Sequence, residues 1–330
     1  MSLPELPAWL RRLAPDRYVL AILAMVALAS VIPVRGEAAV GFSWLTKAAI
    51  ALLFFLHGAR LSREAVIAGM THWRLHLTVI ATTFGLFPLL GLAAQRLPPN
   101  ILPGGLTAGL LFLCCLPSTV QSSIAFTSVA RGNVAAAVCA ASLSNLLGVF
   151  VTPLLVGATL GARGGGFSWG ELESIGVQLL LPFILGQIAR RWIWGWIARH
   201  GSLVGYVDRG SILLVVYGAF SAAVTGGLWS KVSAGQILLL VLACVALLGI
   251  VLAAAVSAAR SLGFNKADEI TIVFCGSKKS LASGVPMAGI LFPPAGVGMM
   301  VLPLMIFHQI QLMACAVIAQ RYAARPVAET

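Results

Sequence analysis

The stretch Phe274-Cys275-Gly276-Ser277-Lys278-Lys279-Ser280 decides how this chain is read. Ile270-Thr271-Ile272-Val273-Phe274 leads into it, and Val285 to Phe292 follows, apolar apart from Pro286 and Gly289. The run is long enough to cross a bilayer, yet two lysines sit at its middle. A charge at the membrane centre costs about 2.5–3.5 kcal/mol on insertion scales, so adjacent lysines there point to a functional site. Gly276 and Gly284 bracket the pair, and the helix is expected to break between them.

The rest of the chain has the same character. Of 330 residues, 59% are hydrophobic and 10% charged, with a mean hydropathy of +0.97. Runs of about 20 apolar residues are transmembrane helices, and no soluble domain has this composition. The net charge of +12 does not indicate a nucleic-acid partner, because the basic residues lie in short loops between apolar runs. Cys114, Cys115, Cys139, Cys244, Cys275 and Cys315 all fall inside apolar segments and are expected to pack as small free thiols. Arg11, Arg12 and Arg17 precede the first apolar run without a clear Ala-x-Ala site after it, so no cleavable signal peptide is expected.

Ten apolar segments follow in order: Tyr18–Val34, Trp44–Ala59, Leu75–Ala94, Pro103–Val129, Val134–Leu160, Ile175–Ala189, Val204–Leu228, Ala234–Ala259, Ile270–Phe292 and Gly296–Gln320. Basic residues test the count. One side of the membrane would hold 15 of them: Arg11, Arg12, Arg17, Arg60, Arg63, Arg74, Arg131, Arg190, Arg191, Arg199, Arg209, Arg260, Lys266, Arg321 and Arg325. The other would hold 4: Arg35, Arg96, Arg163 and Lys231. A bias that survives ten alternations predicts ten spans with both termini cytoplasmic. Segment four is interrupted at Leu116-Pro117-Ser118-Thr119, followed by Gln121, Ser122, Ser123 and Thr127; segment nine is interrupted at Gly276 to Ser280. Pro117 alone would be an ordinary membrane-helix kink. Matching breaks predict two five-helix repeats, residues 1–160 and 161–330, the second inverted relative to the first. Broken polar helices at matching places are the sequence pointer to a transporter's midplane site.

The run Cys114-Cys115-Leu116-Pro117-Ser118-Thr119-Val120-Gln121-Ser122-Ser123, then Ala130-Arg131-Gly132-Asn133, then Val151-Thr152-Pro153, resembles the bile acid:sodium symporter superfamily. The family pattern is Cys-Pro-Gly-Gly with a following Ser-Asn, then Ala-Arg-Gly-Asp, then Thr-Pro. The resemblance covers nearly the whole chain and is nearest the divergent subgroup containing the vertebrate seventh member of that solute-carrier family and its bacterial relatives. It implies a core domain in which broken segments four and nine cross, and a panel domain of segments one, two, six and seven. It also implies residence in the inner (cell) membrane of a bacterium.

The departures from the family matter more. Sodium-coupled members hold one ion with the Ser-Asn of segment four, hydroxyls of segment five and a Glu of segment nine. Alignment places Ser122-Ser123, then Ala137 and Ala141, then Phe274 at those positions. At the glutamines of the second ion site it places Thr83 and Lys278. Sodium needs oxygen ligands. The ten acidic residues, Glu5, Asp16, Glu37, Glu64, Glu171, Glu173, Asp208, Asp268, Glu269 and Glu329, all lie at segment ends or in loops. An ammonium is therefore expected where a sodium ion would sit, donating to Ser122, Ser123, Thr127 or exposed carbonyls, and no metal or cofactor is expected. Lys278 and Lys279 would point about 100° apart on a regular helix. One would fill the cation site and the other face a cavity, with the helix phase at a break leaving the roles interchangeable; the bland alternative is a purely structural charge that pins the crossover.

Other candidates carry a blander alternative. Ser277, Ser280 and Ser283 would satisfy backbone groups freed by the break. Asn145 serves as inter-helix glue or as a solute contact. His308 with Gln309 is a polar pair in an apolar helix, His57 reads as interfacial, and Trp192, Trp194 and Trp196 among arginines read as an interfacial belt. Gly164-Gly165-Gly166 reads as a linker, not a phosphate cradle, because no strand precedes it. The leading expectation is a sodium-independent secondary transporter, a monomer, moving a small organic anion by alternating access. A regulatory membrane protein that binds a ligand without moving it is the first alternative. An intramembrane enzyme using Ser277–Lys278 or Lys279–Ser280 as a serine–lysine dyad is the remote one.

Overall fold

The computed structural model describes residues 17–60, 72–96, 98, 101–160 and 169–325. The Gly164–Gly166 linker and Arg11, Arg12, Arg63 and Arg163 lie outside the described residues. All ten apolar segments are helical. Helices α1 (Arg17–Val31), α2 (Gly36–Arg60) and α3 (Trp73–Ala94) correspond to the first three. Segment four is two helices, α4 (Gly104–Cys115) and α5 (Gln121–Val129), and segment five is α6 (Val134–Leu160). Then come α7 (Trp169–Arg199), α8 (Gly201–Thr225), the single turn α9 (Leu228–Lys231) and α10 (Ala234–Ser261). Segment nine is split into α11 (Lys266–Gly276) and α12 (Leu281–Leu291), and α13 (Pro294–Ala323) closes the chain.

Six of these helices, α2, α3, α6, α8, α10 and α13, are individually long and apolar enough to cross a membrane. Their outer faces carry large apolar side chains, as Leu238, Leu242, Val245 and Ile250 do on α10. Such faces suit a lipid solvent, where there is no penalty for leaving leucine outside. The chain is an all-α integral membrane protein.

Helices α2 and α7 pack at the closest range. A Cβ on Gly58 would lie 2.0 Å from the Phe183 carbonyl oxygen, and one on Gly186 would lie 2.0 Å from that of Phe55. Small residues bring backbones together because association within lipid relies on packing. Helices α1 and α8 pack beside this pair. Against them stands the group containing α4, α5, α6, α11, α12 and α13.

Both breaks fall where the sequence places them. Residues 116–120 and 277–280 leave helical geometry. Pro117 lies in the first break and packs on Gly148, where a Cβ would sit 2.6 Å from it. Gly276 is the last residue of α11. Gly284, expected to mark the far edge of the second break, instead lies inside α12. Its lack of a side chain serves packing: a Cβ there would meet Leu116 Cδ1 at 2.4 Å and Leu304 Cδ2 at 2.6 Å.

Candidate functional site

A helix that stops inside a membrane must find partners for the carbonyls it orphans. At the break of segment four every one from Cys114 to Ser118 has a donor. Cys114 and Leu116 accept from Lys279 Nζ at 2.8 and 2.7 Å. Cys115 accepts from Thr152 Oγ1 at 2.8 Å, Pro117 from the Ser280 amide at 2.9 Å, and Ser118 from Asn145 Nδ2 at 2.6 Å. In return, segment four serves segment nine. Ser118 Oγ donates to the Cys275 carbonyl at 2.5 Å and Ser123 Oγ to that of Phe274 at 3.0 Å. The two breaks therefore complete each other.

Lys279 is the hub of this crossing. Its ammonium has three protons, and the third goes to the Thr83 carbonyl at 2.8 Å. That carbonyl is available for a specific reason. Residues Ala81–Leu86 form a π-helical stretch, in which the Phe87 amide bonds Thr82 instead of Thr83. The next residue that could serve Thr83 is Pro88, which has no N–H. π-Bulges gather at functional sites, and this one frees an acceptor for a buried cation. The Phe87 ring covers the ammonium at 4.1 Å from its centroid.

Lys278 has a different shell. Its Nζ donates to the Ser122 carbonyl at 2.9 Å and lies over the rings of Phe126 at 3.9 Å and Phe274 at 5.2 Å. Both lysine side chains are 0% exposed. Of the two roles left open in the sequence, the carbonyl cage falls to Lys279, and neither lysine lines the cavity described below. The expected side-chain acceptors also differ. Lys278 meets the main chain of Ser122, Ser123 serves Phe274, and the Thr127 hydroxyl is buried without a hydrogen-bond partner. The ion pairs among the described residues are Arg60–Asp208, Arg260–Glu269 and Lys266–Glu269, none at the crossing. The described residues contain no group of His, Cys, Asp and Glu that could hold a metal.

The remaining serines cap and brace. Ser277 Oγ donates back to Val273 O at 2.6 Å, and Ser280 Oγ caps α12 by accepting from the Ser283 amide at 3.1 Å. Thr119 Oγ1 lies 2.7 Å from Ser122 Oγ and 3.1 Å from Ser123 Oγ. Asn145 joins both breaks, since Ser283 Oγ donates to its Oδ1 at 2.9 Å. The hydrogen bonds of the two ammoniums run to main-chain carbonyls of Ser122, Thr83, Cys114 and Leu116.

A cavity of about 650 Å³ adjoins the crossing. One wall is Thr119–Ser122, Asn145 and Ser280–Ser283, so the N-termini of α5 and α12 both open onto it. The other wall comes from α1, α2, α7 and α8 and carries His57, Arg60, Asp208 and Arg209. His57, expected at the interface, lines this cavity instead. Asp208, counted as a segment-end residue, also reaches it, paired with Arg60. His308 closes the wall from α13. Two helix N-termini and a basic wall create positive potential in a partly apolar chamber.

Sequence reasoning missed Gln311, one turn beyond the His308–Gln309 pair. It is 0% exposed, and its amide bonds both peptide groups of Lys279 at 2.9 Å. Only its helical spacing from His308 marked it in the sequence. The Ala-Arg-Gly-Asn motif also finds its place: Asn133 Nδ2 donates to Asp268 at 2.9 Å, and the Asn133 amide to the Ala267 carbonyl at 3.1 Å. It ties the α5–α6 turn to the start of α11.

Broken helices that cross beside a chamber, in an all-helical membrane chain, define the class: a membrane transporter. Comparison with known proteins agrees. The model of the SBF-like CPA transporter family matches residues 16–324. An uncharacterized protein of Pseudomonas aeruginosa is 61% identical over 316 residues, 95% of each chain. YfeH of Escherichia coli, provisionally named a symporter, is 59% identical over 93% of this chain and 92% of its own. The Sodium/bile acid cotransporter 7 of Rattus norvegicus is 30% identical over 82% of this chain and 80% of its own. The chain belongs to the SBF-like CPA transporter family, within the bile acid:sodium symporter superfamily.

Proposed function

We propose that this protein is a secondary transporter of a small organic anion, working by alternating access without sodium. The observation that carries the reading is the Lys279 ammonium, held by the carbonyls of Thr83, Cys114 and Leu116 at the crossing. Unwound carbonyls are what transporters of this architecture offer a coupling cation, and here a covalently attached cation takes them. Phe274, Ala137 and Ala141, all buried and without oxygen in their side chains, supply nothing to a sodium ion. The anionic preference is supported by the α5 and α12 N-termini and by Arg209 on the cavity wall, where Arg60 is paired with Asp208. The polar cavity wall of Thr119, Ser122, Asn145 and Ser280 would orient the solute.

In this reading the breaks in segments four and nine belong to inverted repeats of residues 1–160 and 161–330. The panel of α1, α2, α7 and α8 moves against the core, with both termini cytoplasmic. The cavity side bearing Arg60 and Arg209 would then be the cytoplasmic side. Counterflow in proteoliposomes with a panel of carboxylates and sulfonates tests the proposal. Uptake of one of them, unchanged when choline replaces sodium on both sides, is the expected result. Uptake that collapses without sodium overturns it.

A further inference from the structure

Lys279 is held from both ends. Its ammonium takes three carbonyls, and its peptide is clamped by Gln311: Oε1 accepts from the Lys279 N–H and Nε2 donates to the Lys279 C=O, each at 2.9 Å. This residue lies in the break, where no helical ladder serves its peptide groups. A peptide N–H only donates and a peptide C=O only accepts, so these two bonds fix which end of the Gln311 amide is nitrogen. One proton of Nε2 is used on Lys279. Nε2 also lies 2.9 Å from His308 Nδ1. The second proton can make that bond only if Nδ1 presents a lone pair. The crossing therefore requires His308 to be neutral with its proton on Nε2.

Adding a proton at Nδ1 would set two donors face to face at 2.9 Å. The Gln311 amide would have to turn away, and both of its bonds to Lys279 would go with it. From this we infer that Gln311 is a positioning residue through which the protonation state of His308, at the cavity wall, controls the break of segment nine. A neutral imidazole locks the crossing, and an imidazolium releases it. The inference rests on the transporter reading for its purpose, since it gives alternating access a proton-dependent step, but the lock itself does not require transport.

The surroundings of His308 leave this logic in place. Of the elements packed against α13, α5 and α12 contain no charged residue, and α4 contributes only Cys114 and Cys115. Helix α8 contributes Asp208 and Arg209, with Tyr206 and Tyr217; Asp208 and Arg209 share the cavity with His57, Arg60 and Tyr18. Helix α10 has Cys244 and Arg260, the latter paired with Glu269. Lys279 lies beyond Gln311, with its ammonium turned to Thr83, Cys114 and Leu116.

The test is hydrogen–deuterium exchange of the full chain in nanodiscs, followed over residues 277–283 and corrected for intrinsic exchange. The pH is lowered from about 7.5 to about 5.5, across the ordinary imidazole range near 6.5. In the parent, protection of this segment should fall several-fold, up to about ten-fold. His308→Asn keeps an acceptor at the Nδ1 position and cannot take the proton, so its protection should stay high and flat. Gln311→Met should be unprotected at both values. Nitrogen-15 spectra of histidine-labelled protein, assigned by loss of a signal in His308→Asn, should show the Nε2–H tautomer at about pH 7.5. An Nδ1–H tautomer in the folded protein overturns the inference, as does a His308→Asn variant with the parent's pH dependence. Failure to move any anion would sink the transporter reading and leave both results standing.

Discussion

Replacing Lys279 by methionine keeps an unbranched side chain, shorter by the terminal nitrogen, and removes its three donors. The carbonyls of Thr83, Cys114 and Leu116 would then face a dry interior with nothing to accept from. Each buried group left unmet costs about 1–3 kcal/mol, so the gross loss is about 3–9 kcal/mol. Removing the ammonium also removes the several-kcal/mol cost of burying its charge, which brings the net loss to roughly 3 kcal/mol. For a chain of this size that lowers the melting temperature by about 5 °C. Lys278→Met strands one carbonyl, that of Ser122, and loses the ring contacts with Phe126 and Phe274. The same relief of burial nearly cancels this, and a shift of no more than about 2 °C is expected. The assay is thermal unfolding followed by a thiol-reactive dye, which suits a protein with six free cysteines, five of them buried. If Lys279→Met melts within about 1 °C of the parent, or Lys278→Met is the more damaged variant, the assignment of the carbonyl cage is wrong.

The other expectations concern the frame around the site. Gly58→Ala and Gly186→Ala each force a methyl to 2.0 Å from a backbone oxygen; overpacking of this kind costs about 1–3 kcal/mol or more and should appear as a lower melting temperature. Asn145→Leu strands the Ser118 carbonyl and the Ser283 hydroxyl, so it should lower both stability and flux, by about 1–3 kcal/mol per group for the stability part. Burial would raise the pKa of Glu269, just before segment nine, but hydrogen bonds from Lys266, Arg260 and Tyr322 outweigh it and hold the carboxyl below its ordinary value. Its contribution is therefore present above the unfolded carboxylate pKa and lost as pH falls through the lower folded one. Glu269→Gln should flatten the acid limb of a pH–stability curve, and an unchanged limb would contradict this. A cysteine at the exposed position Arg35 should be labelled from outside intact cells; labelling from the cytoplasmic side alone would break the ten-span order.

The helices were legible because lipid imposes a one-dimensional code: about 20 apolar residues, then a polar loop. The breaks at Pro117 and at Ser277–Lys279 were legible too, since proline and charge are costly inside that code. Which lysine fills the cage was not. It depends on helix phase at the point where the helix ends, and on a π-helical stretch at Ala81–Leu86 that exposes the Thr83 carbonyl. Gly284 misled because a glycine beside a break and a glycine under two leucines look the same in sequence. Gln311 was hidden for another reason. A buried amide takes its meaning from what it touches, and Lys279 is 32 residues away along the chain. Asp208 and His57 gained their place in the cavity from the packing of α2 on α8, which no local pattern encodes.

The central claim is that a lysine ammonium stands where a sodium ion would bind. The measurement that meets it most directly needs no substrate: equilibrium binding of radioactive sodium to the purified protein, with thermal stability read across the same sodium titration and against choline. With the ammonium in place, no saturable binding and no sodium-specific stabilisation are expected. Saturable binding of sodium, with a melting temperature that rises in sodium and not in choline, would contradict it.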